Sequence, residues 1–235
     1  RFQYAPGIRG SDNDVRNQLI KKKKNSMQLQ DKLGSLGLII LIDVTKSMDN
    51  AIEDMKKKID EELATELLIR YPRLKGKVAY ACIGYRDICD RVQFEVMGQE
   101  SKWDQERSRQ QHFKTDVKEV QSFLSGLKAQ GGGDYPEDIA GALLEVSRLN
   151  FDAFRSHVLF HIFDDPGHGK EFNDYPEGHD KYMDYIRKKG LSRKDPAAEI
   201  EEAITKLKQE CNVVKYHAMA VKREDNQVNP SQRRH

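Results

Sequence analysis

A doubly wound α/β fold is predicted, with a mostly parallel central sheet, helices on both faces and one short antiparallel edge strand. Three observations predict it. Residues 38–42 are continuously apolar and residues 158–163 are apolar except for His161, as strands covered on both faces require. Each run ends abruptly in a carboxylate, Asp43 or Asp164. Stretches with apolar residues at helical spacing alternate with the strand-like runs throughout. The 235 residues suffice for one such domain with a sizeable core and are too few for two comfortable ones.

In chain order, residues 1–34 are polar and read as a basic arm carrying Lys21, Lys22, Lys23 and Lys24, able to meet an acidic surface such as an acidic protein tail, RNA or anionic lipid. After the first strand, Met48, Ile52, Met55, Ile59, Leu63 and Leu67 recur at helical spacing and predict a long core-facing helix that stops before Tyr71 and Pro72. Residues 78–85 and 92–96 are strands. Their connection is too short for a parallel crossover, which takes about a dozen residues, so the pair is antiparallel. Residues 101–111 are almost wholly polar around Trp103 and read as an insertion, with Trp103 a candidate contact.

Val117, Val120, Phe123, Leu124 and Leu127 mark a second helix running to Gly131. Ile139, Leu143, Val146 and Leu149 mark a third, and Ile200, Ile204, Leu207 and Cys211 a fourth, entered through Asp195 and Pro196. Residues 213–221 form the last strand, 222–235 a polar tail, and 35–221 the folded domain. Residues 165–195 far exceed the usual connection of about 2–6 residues. They read as a lid or partner-specificity loop with a short helix around 181–187, and Asp165, His168 and His179 as candidate partner contacts.

The chemistry gathers at three strand-end loops. Asp43, Thr45 and Ser47 put a carboxylate and two hydroxyls at alternating positions after the first strand. The run Gly131, Gly132, Gly133, Asp134, Tyr135, Pro136, Glu137 is a flexible turn bringing a carboxylate to a helix start. There Pro136 suits the first turn and Glu137 the helix dipole. Asp164 closes the fourth strand. In open α/β sheets ligands bind at this edge. An oxygen-only set of Asp43, Thr45, Ser47, Asp134 and Asp164 suits one Mg²⁺ or Mn²⁺ ion, whereas zinc or copper favours imidazole and thiolate.

These motifs resemble the von Willebrand factor type A (VWA) domain, a Rossmann-like fold whose metal-ion-dependent adhesion site (MIDAS) uses Asp-x-Ser-x-Ser and one residue from each of two later loops. The resemblance covers roughly residues 35–221. The Gly-Gly-Gly-Asp-x-Pro-Glu and Asp-x-Pro-x-His-Gly stretches look most like the intracellular members found beside alpha-type protein kinases. It implies a non-enzymatic, magnesium-dependent protein–protein interaction module in an intracellular, cytoplasmic assembly, or the regulatory domain of a larger alpha-kinase-type protein. In adhesive members an acidic side chain of the protein partner completes the metal shell. Here Thr45 replaces the usual serine and keeps its hydroxyl. Asp134 stands where adhesive members often carry threonine, and the added charge weakens attraction for an acidic ligand.

Composition narrows the alternatives. The 40 basic and 38 acidic side chains leave a net charge of +2, so no global field favours nucleic acid or membrane. Cys82, Cys89 and Cys211 fit neither a zinc ribbon nor a disulfide framework, and predict a reducing compartment. No run reaches the roughly 20 apolar residues of a transmembrane segment, and no signal-peptide pattern is present, so a soluble chain is expected.

A metal-independent scaffold of a cytoskeletal or ribonucleoprotein complex, held by the basic arm and loops, is the main competing function. A metal-dependent hydrolase built on His161, Asp164, Asp165, His168, His179 and Asp180 is disfavoured. Alternation points His161 and Asp164 to opposite sides of the sheet, and no hydrolase ligand spacing occurs. No kinase glycine loop or catalytic-loop motif is present.

Overall fold

The structure is a computed structural model that describes residues 35–58, 69, 72–98, 112–152, 154–176 and 178–221. The basic arm with Lys21 to Lys24, the second half of the long first helix, the Trp103 insertion and the polar tail lie outside these residues.

Five strands form one sheet: β1 (Leu36–Asp43), β2 (Val78–Tyr85), β3 (Phe94–Val96), β4 (Ser156–Phe163) and β5 (Val213–Ala220). Their order is β3-β2-β1-β4-β5. All neighbours are parallel except β2 and β3, which pair antiparallel through Gly84 and Glu95. The sheet is therefore doubly wound, and the crevice between the ends of β1 and β4 is its topological switch point.

Alternation along β1 divides the core. Leu38, Ile40 and Ile42 point to one face and pack with Met48, Ile52, Val120 and Leu124. These belong to the turn Lys46–Met48 and the helices α1 (Asp49–Lys58) and α2 (Val117–Gly126). Ile39 and Leu41 point to the other face and meet Leu143, Val146, Ala203 and Leu207, from α3 (Ile139–Val146) and α5 (Pro196–Gln209). Period-two patterning thus supplies one core per face. Cys82 and Cys211 are buried, one in each core, and all three cysteines are free.

Two helix ends differ from expectation, and both differences shape the site. α2 stops at Gly126 rather than Gly131. Leu127 is already extended, and the segment after it is pinned to the first loop by Gln130 N–H donating to the Val44 carbonyl at 3.0 Å. α3 starts at Ile139 rather than Pro136, because Asp138 caps it by accepting from Gly141 N–H at 2.9 Å. An aspartate that satisfies an otherwise unpaired N–H fixes where a helix begins. The long loop contains the expected short helix, α4 (Tyr182–Lys189). It is docked on the domain through Tyr182 and Ile186 packing on Ile88. No described helix is long and apolar enough to cross a membrane.

Candidate metal centre

Asp43 is the last residue of β1 and is fully buried. Its Oδ1 accepts from the backbone N–H and the hydroxyl of Thr45, both at 2.8 Å. The Thr45 hydroxyl lies 3.3 Å from that of Ser47. Thr45 is buried while Ser47 faces solvent, so the tripod runs from the interior to the rim. Asp164, just past β4, completes the floor from across the switch point.

The second loop delivers Glu137 to this group. Glu137 N–H donates to the Pro166 carbonyl at 3.0 Å and His168 N–H to the Glu137 carbonyl at 3.3 Å. This short parallel bridge lays the glycine-rich loop along the loop after β4. Carboxylate oxygens of Asp43, Glu137 and Asp164 lie within 4.8 Å of one another, and Glu137 also interacts with the Thr45 side chain. Asp43 Oδ2 and Glu137 Oε2 are buried with no hydrogen-bond partner among the described residues.

Electrostatics follow from that crowding. Burial, and then the neighbouring Asp43 and Asp87 charges, push Glu137 up to about 10. Burial raises Asp43 to about 7 against the hydrogen bonds from Thr45, with Asp164 adding to the rise. Carboxylates this reluctant to ionise in place are short of positive charge. An all-oxygen set of three carboxylates and two hydroxyls is hard-cation chemistry, fitted to Mg²⁺ or Mn²⁺.

The structure does not bring the whole sequence-based set together. Asp134 does not join Asp43 and Asp164. Gly131 and Gly132 take left-handed conformations at φ +86° and +85°, which only glycine adopts without strain. A side chain at Gly133 would collide with Cys89 Sγ, so the loop sits tightly on the turn after β2. That path turns Asp134 toward Asp87 and His168, with which it forms a separate group whose ligand atoms also lie within 4.8 Å of one another. Glu137, expected at the dipole of α3, lies instead just before the Asp138 cap and takes the vacated place. Counting back from a recognised cap, rather than assuming Pro136 opens the helix, is the signal that could have found it.

His168 and Asp165 are corrected as partner contacts, because both are buried. His168 Nδ1 faces Asp180 Oδ1 and its Nε2 faces Asp87 Oδ1, each at 2.9 Å. Burial works against a charged ring, but these carboxylates prevail and raise His168 to about 9. Asp165 accepts from the Tyr175 hydroxyl at 3.1 Å. His179 does stay exposed. Its ring stacks on Tyr135, which stacks on Tyr175 at 5.3 Å between centroids. Tyr175 lies close enough for the Asp164 and Glu137 charges to act on it, so this aromatic stack borders the centre.

His161 is held away from Asp164 by the Tyr85 and Tyr216 hydroxyls at 2.9 and 2.8 Å. The histidine–carboxylate hydrolase set is therefore not brought together as a unit.

Fold and site define a doubly wound α/β domain with an acidic, hydroxyl-bearing centre at its switch point. The chain is similar to the alpha-protein kinase vwkA of Dictyostelium discoideum, at 29% identity over 145 residues. That alignment takes in 60% of this chain and 21% of the kinase, so the chain corresponds to about a fifth of the relative's length. No protein-family model matches the chain.

Proposed function

We propose that this is a VWA-type interaction domain that binds one Mg²⁺ or Mn²⁺ ion through Asp43, Thr45, Ser47, Glu137 and Asp164 and recruits a protein partner at that edge. The observation that carries the reading is the convergence of three loops on buried carboxylates, with Asp43 Oδ2 and Glu137 Oε2 lacking a hydrogen-bond partner among the described residues. A resident cation would neutralise them and draw the three loops together. With three carboxylates around it, the ion would attract an acidic partner side chain less than a site with two would. The exposed Ser47 hydroxyl and the Tyr135 and His179 rings supply a mixed polar and aromatic rim instead.

The role is non-catalytic in this reading. Ser47 has the Thr45 hydroxyl beside it rather than a base, and His161 is engaged on the other side of β4. The similarity to an alpha-protein kinase supports this reading, and regulation or recruitment within an intracellular protein of that kind is the role we assign. The test is thermal unfolding in EDTA against millimolar Mg²⁺ or Mn²⁺. A rise in Tm lost in Asp164→Ala and Glu137→Gln supports the centre, since an ion bound only by the native state stabilises it by mass action. An unchanged Tm in the intact protein would move the function to the metal-independent scaffold.

A further inference from the structure

We propose that Asp87, Asp134 and His168 form a second divalent-cation site, of mixed imidazole and carboxylate chemistry suited to Zn²⁺ or Co²⁺, which braces the loops around the first. The three residues come from three segments: the turn after β2, the glycine-rich loop and the long loop after β4. Their ligand atoms already converge within 4.8 Å.

Two observations beyond proximity point to a ligand. Asp87 is completely buried, yet its Oδ2 has no hydrogen-bond partner among the described residues, and the same holds for Asp134 Oδ1. The two carboxyls interact directly across the gap between the turn after β2 and the glycine-rich loop. Unpartnered oxygens facing each other are costly unless positive charge lies between them. The second observation is the posture of His168. Asp180 accepts from its Nδ1 and is itself fixed by Gly169 N–H at 2.8 Å and Tyr182 N–H at 3.0 Å. A carboxylate on Nδ1 sets the tautomer that leaves Nε2 as the donor atom, the arrangement by which proteins orient metal-binding imidazoles. Nε2 points at Asp87.

The donor set also explains why this site differs from its neighbour. Imidazole shifts preference from magnesium toward zinc and related ions. Without an ion, a proton on His168 plays the cation's part, so loading should release protons. The Cys89 thiol borders the group and interacts with Asp87, and burial, then Asp87, push it up to about 12. Cys89 lies outside the group of ligand atoms that converge, Asp87, Asp134 and His168.

The experiment titrates the full chain, stripped with EDTA, with Zn²⁺ by calorimetry and with Co²⁺ by visible absorption. Asp134→Asn is the principal variant, since the residue is only half-buried and the amide oxygen can still accept from Lys181 N–H. The expected result is a Co²⁺ absorption band in the intact protein that is lost in Asp134→Asn and retained in Glu137→Gln. Asp180→Asn should weaken Zn²⁺ binding by about 10- to 100-fold, as loss of an outer carboxylate does elsewhere. Absence of the band, or a band indifferent to Asp134→Asn, overturns the proposal and leaves a protonated His168 ladder as the role of the cluster. Because Glu137→Gln removes a ligand of the first centre and none of the second, failure of one site is distinguishable from failure of the other.

Discussion

Glu137 and Asp138 are adjacent, equally buried and oppositely provided for. Asp138 receives Arg193 through two contacts, at 2.7 and 3.0 Å, as well as the Gly141 N–H and the Gln93 amide. Arg193 also reaches Glu199, at 2.6 Å from its Nη2, making a satisfied ionic network behind the start of α3. Glu137 instead faces the carboxylates of Asp43 and Asp164, and its Oε2 has no hydrogen-bond partner among the described residues. A fold that pairs one carboxylate with an arginine and crowds the next against other carboxylates leaves the second to be neutralised by a proton or by a cation. Burial alone therefore does not identify a ligand site, whereas burial without an internal counter-charge does.

Removing the arginine should have the largest effect. Arg193→Ala should cost about 3–5 kcal/mol in urea unfolding, because it strands buried partners that are otherwise paired. The loss should be equal with and without divalent ion. An ion-dependent loss would merge the two regions into one network. Next in size is the cation itself. At a free Mg²⁺ or Mn²⁺ concentration about 100 times Kd, the intact protein should gain about 2.7 kcal/mol. Glu137→Gln should forfeit that gain yet be no less stable in EDTA, while Asp138→Asn should be weaker in both conditions.

A smaller effect comes from Gly141. A Cβ there would lie 2.2 Å from Asp138 Oδ2, so Gly141→Ala should destabilise by about 1–3 kcal/mol, measured by urea midpoint. Its ion-dependent gain should persist. The last and mildest test is pH. Burial pushes His161 down to about 3 and His157 down to about 4. Both imidazoles fold neutral, so the unfolded chain binds more protons. Their contribution is fully present above pH 6.5 and is lost as pH falls through these lowered values. A stability profile with EDTA present should fall in that acid window, and less steeply in His161→Gln. The two carboxylate regions are best compared above it.

Much of the fold was legible because burial on both faces leaves a simple record. β1 and β2 read as apolar runs, the short connection before β3 demanded antiparallel pairing, and Asp195 with Pro196 announced α5. The centre was legible in its first and third loops, where a strand hands directly to Asp43 or Asp164. The second loop was not, since its path depends on contacts distant in sequence: Gln130 on Val44, and Gly133 on Cys89. Those contacts place Asp134 by Asp87 and bring Glu137 to Asp43 and Asp164. Arg193 was equally invisible, and Asp180, read only as part of the disfavoured hydrolase set, was not seen as the partner of His168. Nothing local marks a loop arginine or aspartate as the partner of a buried group delivered by another segment.

β1 is hydrogen-bonded on one side to β2, which follows soon, and on the other to β4, which arrives only after most of the chain has been laid down. The meeting of Asp43 and Asp164 requires this long-range pairing. Contacts of such separation are slow to form, and those absent from the transition state act on the reverse rate. An ion at this crevice should accordingly leave the refolding rate nearly unchanged and slow unfolding. The domain would then be held by its cation kinetically, as a latch that closes last and must open first.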